Sequence, residues 1–193
     1  MKRFCDLAVV LLFAPLWFPL FLLVTVVVFV VEGSPVFFVQ ERAGLNGKPF
    51  NLLKFRTMRK ESGVKEEDTD EKRLTRFGSF LRKTSLDEVP QFFNVLMGSM
   101  SLVGPRPLPV RYLPRYSPEQ MRRHEVLPGI TGWAQVNGRN TLDWKTKFEY
   151  EVWYVDNHSL SLDLKIFFMT LHSVFLRDGI SSENSVTMTE FEG

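Results

Sequence analysis

The sequence predicts an α+β fold that is mainly helical, with an N-terminal membrane segment and one small β-hairpin. Three observations lead to this class. The chain of 193 residues opens with an apolar segment at residues 7–31. Two short runs rich in β-branched and aromatic residues follow, separated by turn-forming residues. Most of the remaining chain combines helical spacing of apolar residues with proline-rich turns, and its length suits one catalytic domain with a core of its own.

Composition limits the partners and the chemistry. A formal net charge of +2 and a pI of about 8.7 indicate no nucleic-acid partner, whereas a mildly basic chain suits an anionic membrane surface or anionic substrates. The single Cys5 excludes an internal disulfide and a multi-cysteine zinc site within one chain. His124, His158 and His172 are scattered along the chain, so we expect structural roles for them.

Residues 7–31 contain no charge and would extend about 37 Å as one straight helix, enough to cross a bilayer core of ~30 Å. Pro15 and Pro19 each remove a backbone donor, and a break at Pro19 would leave two arms of ~18 Å each, too short to cross separately. Lys2 and Arg3 favour a cytoplasmic N-terminus. The residues alone leave two alternatives open: a spanning helix, and a re-entrant helix that enters and leaves by the same face.

The remaining elements follow in order. We expect a hairpin with strands at 36–40 and 50–57 around a turn at 43–48. The charge-rich residues 58–73 predict a surface loop or a lid over a phosphate site. Helices are expected at 74–81, 85–96, 116–126, 143–154 and 162–176, followed by an extended polar tail from residue 181. The last helix has a broad apolar face, which suits a core or a membrane interface. We therefore divide the chain into a membrane segment, 1–33, and a catalytic domain, 34–193.

Asp87 and Glu88 are the strongest candidates for chemistry. A carboxylate can attack phosphorus as a nucleophile, and a second carboxylate can hold a divalent metal ion that offsets phosphate charge. Ser85 precedes Glu88 with the spacing of a capping box, which would place both carboxylates in the first turn of a helix, where the helix dipole stabilises negative charge. The same capping box is the purely structural alternative for Glu88.

Six ordered motifs then carry a resemblance to a known family. They are KFRTM at 54–58, TSLDEVPQ at 84–91, NVLMGSMS at 94–101, VGPRP at 103–107, PGITGWAQVNGRN at 128–140 and LDLK at 162–165. Together they resemble the bacterial sugar transferases, the monotopic phosphoglycosyl transferases, along essentially the whole chain. The ending at 183–191 is similar to that of members acting on diacetylbacillosamine.

The resemblance implies transfer of a sugar 1-phosphate from a UDP-sugar to polyprenol (undecaprenyl) phosphate, with release of UMP. It implies two steps through a covalent phosphosugar on Asp87, with Mg²⁺ held by Glu88. The substrate-binding residues that it implies are Lys54, Arg82, Arg106, Arg139 and Glu151.

The resemblance also implies a place in the cell. Pro19 would mark the break of a re-entrant membrane helix, and the catalytic domain, with membrane-associated amphipathic helices, would lie at the cytoplasmic face of the bacterial inner membrane. The partners would be the lipid bilayer and downstream glycosyltransferases, with the enzyme initiating glycoconjugate assembly.

Two positions depart from the family pattern. Phe18 stands where the family usually has Ser, so we expect Thr25 or a bound water to support the break. Glu151 stands where the family often has Asp, which extends the carboxylate by one methylene. Two other functions remain open from the residues: a lipid-phosphate hydrolase that uses Asp87, and a membrane-anchored scaffold in which the acidic pair is only a helix cap.

Overall fold

The computed structural model describes residues 1–59, 70–138, 142–176 and 190–193. In these ranges the helices are α1 (Lys2–Leu12), α2 (Ala14–Glu32), α3 (Asp70–Arg73), α4 (Arg76–Lys83), α5 (Gln91–Met97), α6 (Pro118–Met121), α7 (Trp133–Val136), α8 (Trp144–Asn157) and α9 (Leu160–Leu176). The strands are β1 (Phe37–Ala43), β2 (Pro49–Phe55), β3 (Ser101–Val103) and β4 (Gly129–Thr131). Short 3₁₀ turns lie at Leu45–Gly47, Leu86–Glu88, Val110–Arg115 and Arg122–His124. The fold is therefore mostly helical with little sheet, as predicted.

The N-terminal segment is interrupted at Phe13, between α1 and α2. Pro15 lies in the first turn of α2, where its missing N–H group breaks the hydrogen-bond ladder that would otherwise run through from α1. The break expected at Pro19 is wrong, because Pro19 lies inside α2. Trp17 supports the interruption instead of Thr25, since its indole Nε1 donates to the carbonyl of Val10 at 2.8 Å. The Thr25 hydroxyl donates one turn back, to the carbonyl of Phe21.

Helix α2 packs one side against the rest of the chain and exposes the others. The packed side is formed by residues three or four positions apart, Trp17, Phe21, Val24 and Val28. Its aromatic rings meet Phe92 and Phe93 of α5 at centroid distances of 5.0 to 5.5 Å. Phe29 and Val30, on the other sides, are mostly exposed. Among the described helices, α2 is the one that is long and apolar enough to cross a membrane.

The predicted hairpin is confirmed, with longer strands than expected. β1 and β2 are antiparallel and pair from Phe37↔Phe55 to Ala43↔Pro49. Asn46 and Gly47 at the turn have φ of 54° and 71°, the left-handed region that these two residue types tolerate best. β2 ends at Phe55, so Lys54 is held at the end of the hairpin that faces α5 and the acidic pair.

A short parallel pair, β3 and β4, was not predicted. Its register joins Ser101 to Gly129 and Val103 to Thr131. Because the strands are parallel, the segments that follow them leave from the same edge. These are the loop at 104–107 and Gly132 with the start of α7. Gly132 is required there, because a Cβ atom would lie 2.2 Å from the carbonyl oxygen of Gly104. Two sequence motifs, 103–107 and 128–140, thus meet at one point of the fold.

The other helices follow the prediction to differing degrees. The helices expected at 74–81, 143–154 and 162–176 are α4, α8 and α9. The helix expected at 116–126 is shorter, since α6 has four residues and is followed by a 3₁₀ turn. In α9, Ile166 is buried while Leu164 and Phe168 are exposed, so its apolar side is shared between the core and the surface.

Two predicted segments fall largely outside the described residues. The loop expected at 58–73 is described only at its ends, where Met58 pairs with Leu74 across an isolated bridge and α3 forms. The tail expected from residue 181 is described from residue 190, where Phe191 is buried among Tyr112, Tyr116 and Phe148. The division of the chain into 1–33 and 34–193 remains a prediction, although Val28 and Trp17 share a core cluster with residues of the hairpin and α5.

Candidate active site

The chain turns sharply just before the acidic pair. Ser85 adopts the left-handed conformation, with φ 56° and ψ 16°, and its side chain accepts no capping hydrogen bond. Leu86–Glu88 form one 3₁₀ turn, and α5 begins only at Gln91. The helix predicted at 85–96 is therefore present as α5 but begins at Gln91 instead of Ser85. The predicted capping box is wrong, and Asp87 and Glu88 precede the first turn of this helix instead of lying in it. A left-handed conformation is unfavourable for a serine, and such residues concentrate at functional sites.

Four of the predicted site residues form one compact charged group, which we call the acidic cluster: Lys54, Asp87, Glu88 and Arg106. Glu88 Oε1 accepts from Lys54 Nζ at 2.7 Å and from Arg106 Nη2 at 2.8 Å. Lys54 Nζ also lies 3.9 Å from Asp87 Oδ2. Glu88 is thus held by one cation from β2 and one from the loop after β3, so its carboxylate is engaged in ion pairs and not in a helix cap.

Burial and charge act differently on the two carboxylates. Asp87 is only 7% exposed, and burial together with the charge of Glu88 raises its pKa to about 6, against the opposing effect of Lys54 and Arg106. Burial also disfavours the charge on Glu88, but Arg106 and Lys54 outweigh it and hold the pKa of Glu88 well below its ordinary value. Glu88 therefore keeps its charge, while Asp87 is a poorly solvated carboxylate that is ionised at neutral pH.

Lys54 is positioned by a buried amide on α5. Asn94 is 1% exposed; its Oδ1 accepts from the Leu53 backbone N–H at 3.0 Å and its Nδ2 donates to the carbonyl of Asn51 at 2.8 Å. These bonds hold the edge of β2 against α5 immediately before Lys54. Helix α4, which precedes the acidic pair in the chain, supplies Arg82. Arg82 Nε donates to the Thr57 hydroxyl at 3.0 Å. The charge of Arg82 reaches Asp87, on which it lowers the pKa.

The loop that carries Arg106 is held by a buried ion pair. Arg123 donates through Nη2 to the carbonyl of Arg106 and through Nε to Glu151 Oε2 at 2.8 Å. The side chains of Arg123 and Glu151 are 1% and 3% exposed. Arg42, at the end of β1, adds a longer bond to the carbonyl of Pro107. The backbone around Arg106 is therefore supported from α8, from the turn at 122–124 and from the hairpin.

The other predicted substrate-binding residues, Glu151 and Arg139, are not part of the acidic cluster as the structure describes it. Glu151 does not join the acidic cluster directly, but reaches it through Arg123 and the Arg106 backbone. Glu151 also lines a cleft beside Arg106, together with Gln135. Arg139 lies outside the described residues, so its role remains a prediction.

Arg123 and Gln135 were not among the residues predicted from the sequence. Arg123 lies in a stretch that reads as an ordinary polar surface helix, and nothing in its spacing signals burial. Gln135 falls within the motif at 128–140, but its amide had no assigned partner. Glu151 was the clearest signal for Arg123. A carboxylate on a buried helix face requires a nearby cation, and Arg123 is the cation that pairs with it.

The acidic cluster suits a metal ion whose remaining ligands come from the substrate. Within the described ranges, no three or more His, Cys, Asp or Glu side chains form a group that could hold a metal ion. Mg²⁺ commonly uses one or two carboxylates, with substrate phosphates and water as its other ligands. Both cations bond the same oxygen of Glu88, Oε1, so Oε2 is the atom that fits such an ion.

Comparison with known proteins agrees with these motifs. The family model described as bacterial sugar transferase matches residues 1–177. An uncharacterized sugar transferase, EpsL, of Bacillus subtilis is 52% identical over 194 residues, covering 100% of this chain and 96% of that protein. The UDP-glucose:undecaprenyl-phosphate glucose-1-phosphate transferase of Xanthomonas campestris is 45% identical over 167 residues, which are 80% of this chain. The UDP-N-acetylgalactosamine-undecaprenyl-phosphate N-acetylgalactosaminephosphotransferase of Aeromonas hydrophila is 38% identical, over 90% of this chain.

The relatives differ in length. This chain matches almost all of EpsL, but only 34% of the Xanthomonas protein and 43% of the Aeromonas protein. The names of these last two specify glucose and N-acetylgalactosamine. The expected likeness to members acting on diacetylbacillosamine rests on residues 183–191, of which the structure describes Glu190 and Phe191, and it remains a prediction.

Proposed function

The chain belongs to the bacterial sugar transferase family, and from this premise we propose that it transfers a sugar 1-phosphate from a UDP-sugar to polyprenol phosphate, releasing UMP. The relatives named for undecaprenyl phosphate support both substrate classes, with undecaprenyl phosphate as the acceptor. The product, a polyprenyl diphosphate sugar, would start the assembly of a glycoconjugate and pass to downstream glycosyltransferases.

The observation that carries this proposal is the acidic cluster. Asp87, a poorly solvated carboxylate, lies beside Glu88, whose pKa is lowered by Arg106 and Lys54. Lys54 lies near both carboxylates and Arg106 pairs with Glu88. A solvated helix cap would need no such cations. Lys54 and Arg106 offer positive charge to the oxygens of a diphosphate, and Arg82 adds to it from α4.

In the first proposed step, an Asp87 carboxylate oxygen attacks the β-phosphorus of the UDP-sugar. The bond between that phosphorus and the oxygen bridging to the α-phosphate breaks, and UMP leaves with the electron pair. The sugar phosphate is then an acyl phosphate ester on Asp87. Arg106 and Lys54 stabilise the charge that develops on the phosphate oxygens, which is the role that fixed cations play in phosphoryl transfer.

In the second step, an oxygen of polyprenol phosphate attacks the same phosphorus. The phosphorus–oxygen bond to Asp87 breaks and restores the free carboxylate. Asp87 is the nucleophile of the first in-line displacement and the leaving group of the second. The soluble donor and the lipid acceptor can therefore react in turn, without both binding at once.

Glu88 would hold Mg²⁺ together with the substrate phosphates. The ion would supply further neutralisation of phosphate charge when bound. In this arrangement Oε2 of Glu88 would bind the metal, while Oε1 accepts hydrogen bonds from Lys54 and Arg106.

We propose that the N-terminal segment is re-entrant and that the site faces the cytoplasm at the inner membrane. Both ends of the segment contact the same folded unit. At one end Lys2 pairs with Asp163 at 2.5 Å and Asp6 accepts from the Ser101 hydroxyl at 2.8 Å. At the other end Arg56 donates to the Gly33 carbonyl at 2.9 Å. A straight crossing would place these ends about 30 Å apart on opposite faces of the bilayer, which these contacts disfavour.

A UMP-release screen tests the proposed function. The purified protein is incubated with undecaprenyl phosphate, Mg²⁺ and UDP-glucose, UDP-galactose or UDP-N-acetylgalactosamine, and UMP is quantified. We expect release of UMP with at least one of these donors, and conversion of the lipid to a diphosphate sugar. Release of free sugar phosphate without a lipid product would favour a hydrolase, and no UMP from any donor would favour a scaffold.

A further inference from the structure

The first strand of the hairpin exposes an apolar run beside the N-terminal segment. Its residues are Phe37, Phe38 and Val39 of β1. The ring of Phe37 stacks on that of Phe21 in α2, with 5.8 Å between their centroids, so the run lies against the helix that is apolar enough to cross a membrane. The hairpin is a two-stranded sheet, and an apolar strand left open at a sheet edge favours aggregation unless something covers it.

Phe38 differs from its two neighbours because it shares a face of the hairpin with Lys54. The two residues are directly opposite each other in the register of β1 and β2. Opposite residues point to the same face, with Cβ atoms about 4.5–5.5 Å apart. Lys54 Nζ is 2.7 Å from Glu88 Oε1 and 3.9 Å from Asp87 Oδ2. An aromatic side chain that is 48% exposed therefore borders the acidic cluster.

We propose that Phe38 packs against the first isoprene unit of polyprenol phosphate while the lipid phosphate lies beside Lys54. This inference rests on the proposed function and assigns the acceptor to one side of the site. In polyprenol phosphate the apolar chain begins at a phosphate oxygen, so a cation and an aromatic ring side by side match both parts of the molecule. The groups joined to the donor diphosphate are hydroxyl-rich sugar rings, to which a phenylalanine offers no hydrogen bond.

The polarity of β1 gives the direction of the lipid chain. From Phe38 towards the turn, the same face carries Gln40 and Arg42, whose side chains bond each other. In the other direction the strand reaches Phe37 and, through its ring, α2. A lipid whose phosphate is at Lys54 would thus leave over Phe38 towards α2 and the bilayer, and would not cross the polar part of the strand. Phe38 then favours an isoprenoid phosphate over a soluble one as the acceptor.

The test measures the donor and the acceptor separately. Steady-state kinetics are recorded for the full-length wild type and Phe38→Ala, with the donor identified by the UMP-release screen and with undecaprenyl phosphate. We expect kcat/KM for undecaprenyl phosphate to fall about tenfold, because the apolar contact is lost, and kcat/KM for the UDP-sugar to change less than about twofold. Phe38→Leu should keep most of the wild-type value for the lipid, because an apolar side chain remains.

Binding without a donor checks the same contact independently of turnover. The dissociation constants of farnesyl phosphate and of inorganic phosphate are measured for the wild type and Phe38→Ala. Farnesyl phosphate should bind about tenfold more weakly to the variant, whereas inorganic phosphate should bind both proteins equally, because it has no isoprene unit. If thermal unfolding shows that Phe38→Ala does not fold, Phe38→Gln takes its place in both comparisons.

Val39→Ala and Phe80→Ala are the matched controls. Val39 is next to Phe38 and 52% exposed, but its side chain is on the opposite face and its cross-strand partner is Leu53. Phe80 is a similarly exposed phenylalanine on α4. Both variants remove exposed apolar surface without removing the proposed contact, so both should keep the wild-type values for the acceptor.

Three results would overturn the inference. A fall for the UDP-sugar with the lipid unchanged would place the donor at Phe38. Equal falls for the lipid in Phe38→Ala and in both controls would show contact with the bulk bilayer instead of the acceptor. Unchanged values for undecaprenyl phosphate and farnesyl phosphate in Phe38→Ala would show that the ring is not used. Absence of UMP release by the wild type would instead overturn the proposed function, and the binding comparison would still decide whether Phe38 holds an isoprenoid phosphate.

Discussion

Replacing Arg123 by Met should destabilise the protein more than any change on its surface. Arg123 and Glu151 form an ion pair of 2.8 Å with side chains 1% and 3% exposed, so removal of one partner leaves a buried charge without compensation. Breaking a pair of this kind costs about 3–5 kcal/mol. For a chain of this length each kcal/mol lowers Tm by about 2–4 °C, so we expect a fall of roughly 6–20 °C.

The double variant Arg123→Met with Glu151→Leu distinguishes two effects of Arg123: compensation of the buried charge of Glu151, and support of the loop that carries Arg106. Removing both charges should restore most of the stability, because similar-sized apolar residues often replace a buried pair without loss. It should not restore activity, since the carbonyl of Arg106 still lacks the Arg123 guanidinium. Thermal unfolding in detergent and UMP release are measured on the same preparations.

Arg122→Met is the control for Arg123→Met. Arg122 neighbours Arg123 and also forms ion pairs, with Glu119 and Asp156, but on the exposed surface. It should leave Tm nearly unchanged. The reasoning is refuted if Arg123→Met melts like Arg122→Met, or if the double variant loses as much stability as the two single variants together.

Three further predictions concern the metal, the membrane and pH. Glu88→Gln should lower kcat on the order of 100-fold while the fold survives, and excess EDTA should stop the wild type; full activity in EDTA would contradict the metal role. In a Cys5→Ser background, single cysteines at Phe4 and Lys48 should both resist a membrane-impermeant thiol reagent in intact cells, and labelling of one alone would show a spanning helix. Burial, helped by Arg123, lowers the pKa of His124 from 6.5 to about 4, so the native state resists protonation that the unfolded state accepts. Stability should therefore fall as pH drops from 6.5 towards 4, and it should fall less in His124→Gln, by urea unfolding at each pH. Equal losses in both proteins would show that His124 is not responsible.

The parts of the fold that were predicted correctly have local signals. The hairpin follows from two β-like runs around Asn46 and Gly47, and α8 and α9 follow from helical spacing with Asp143 as an N-cap. The residues of the acidic cluster were predicted from the family resemblance, which assigns all of them to one site. Spacing alone would not show this, because Lys54 and Glu88 are 34 residues apart.

The parts that were not predicted depend on contacts between distant segments. Ser85 and Glu88 have capping-box spacing, yet Glu88 gains more from Lys54 and Arg106 than it would from one backbone N–H. Pro15 and Pro19 offer two places for an interruption of the helix. The interruption lies at Phe13, where the Trp17 indole donates a hydrogen bond to the Val10 carbonyl. The three-residue strands β3 and β4 are too short to show alternation.

The nucleophile is the central claim, and intact-mass measurement tests it most directly. The wild type and Asp87→Asn are incubated with Mg²⁺ and an accepted UDP-sugar, without lipid acceptor. We expect the wild type to gain the mass of one sugar phosphate, mapped by peptide analysis to Asp87, together with UMP in an amount up to that of the enzyme. Asp87→Asn should gain no mass and show no turnover. An Asp87→Asn variant that still converts undecaprenyl phosphate, or a wild type that turns over by a sequential mechanism and never carries the sugar phosphate, would contradict the account.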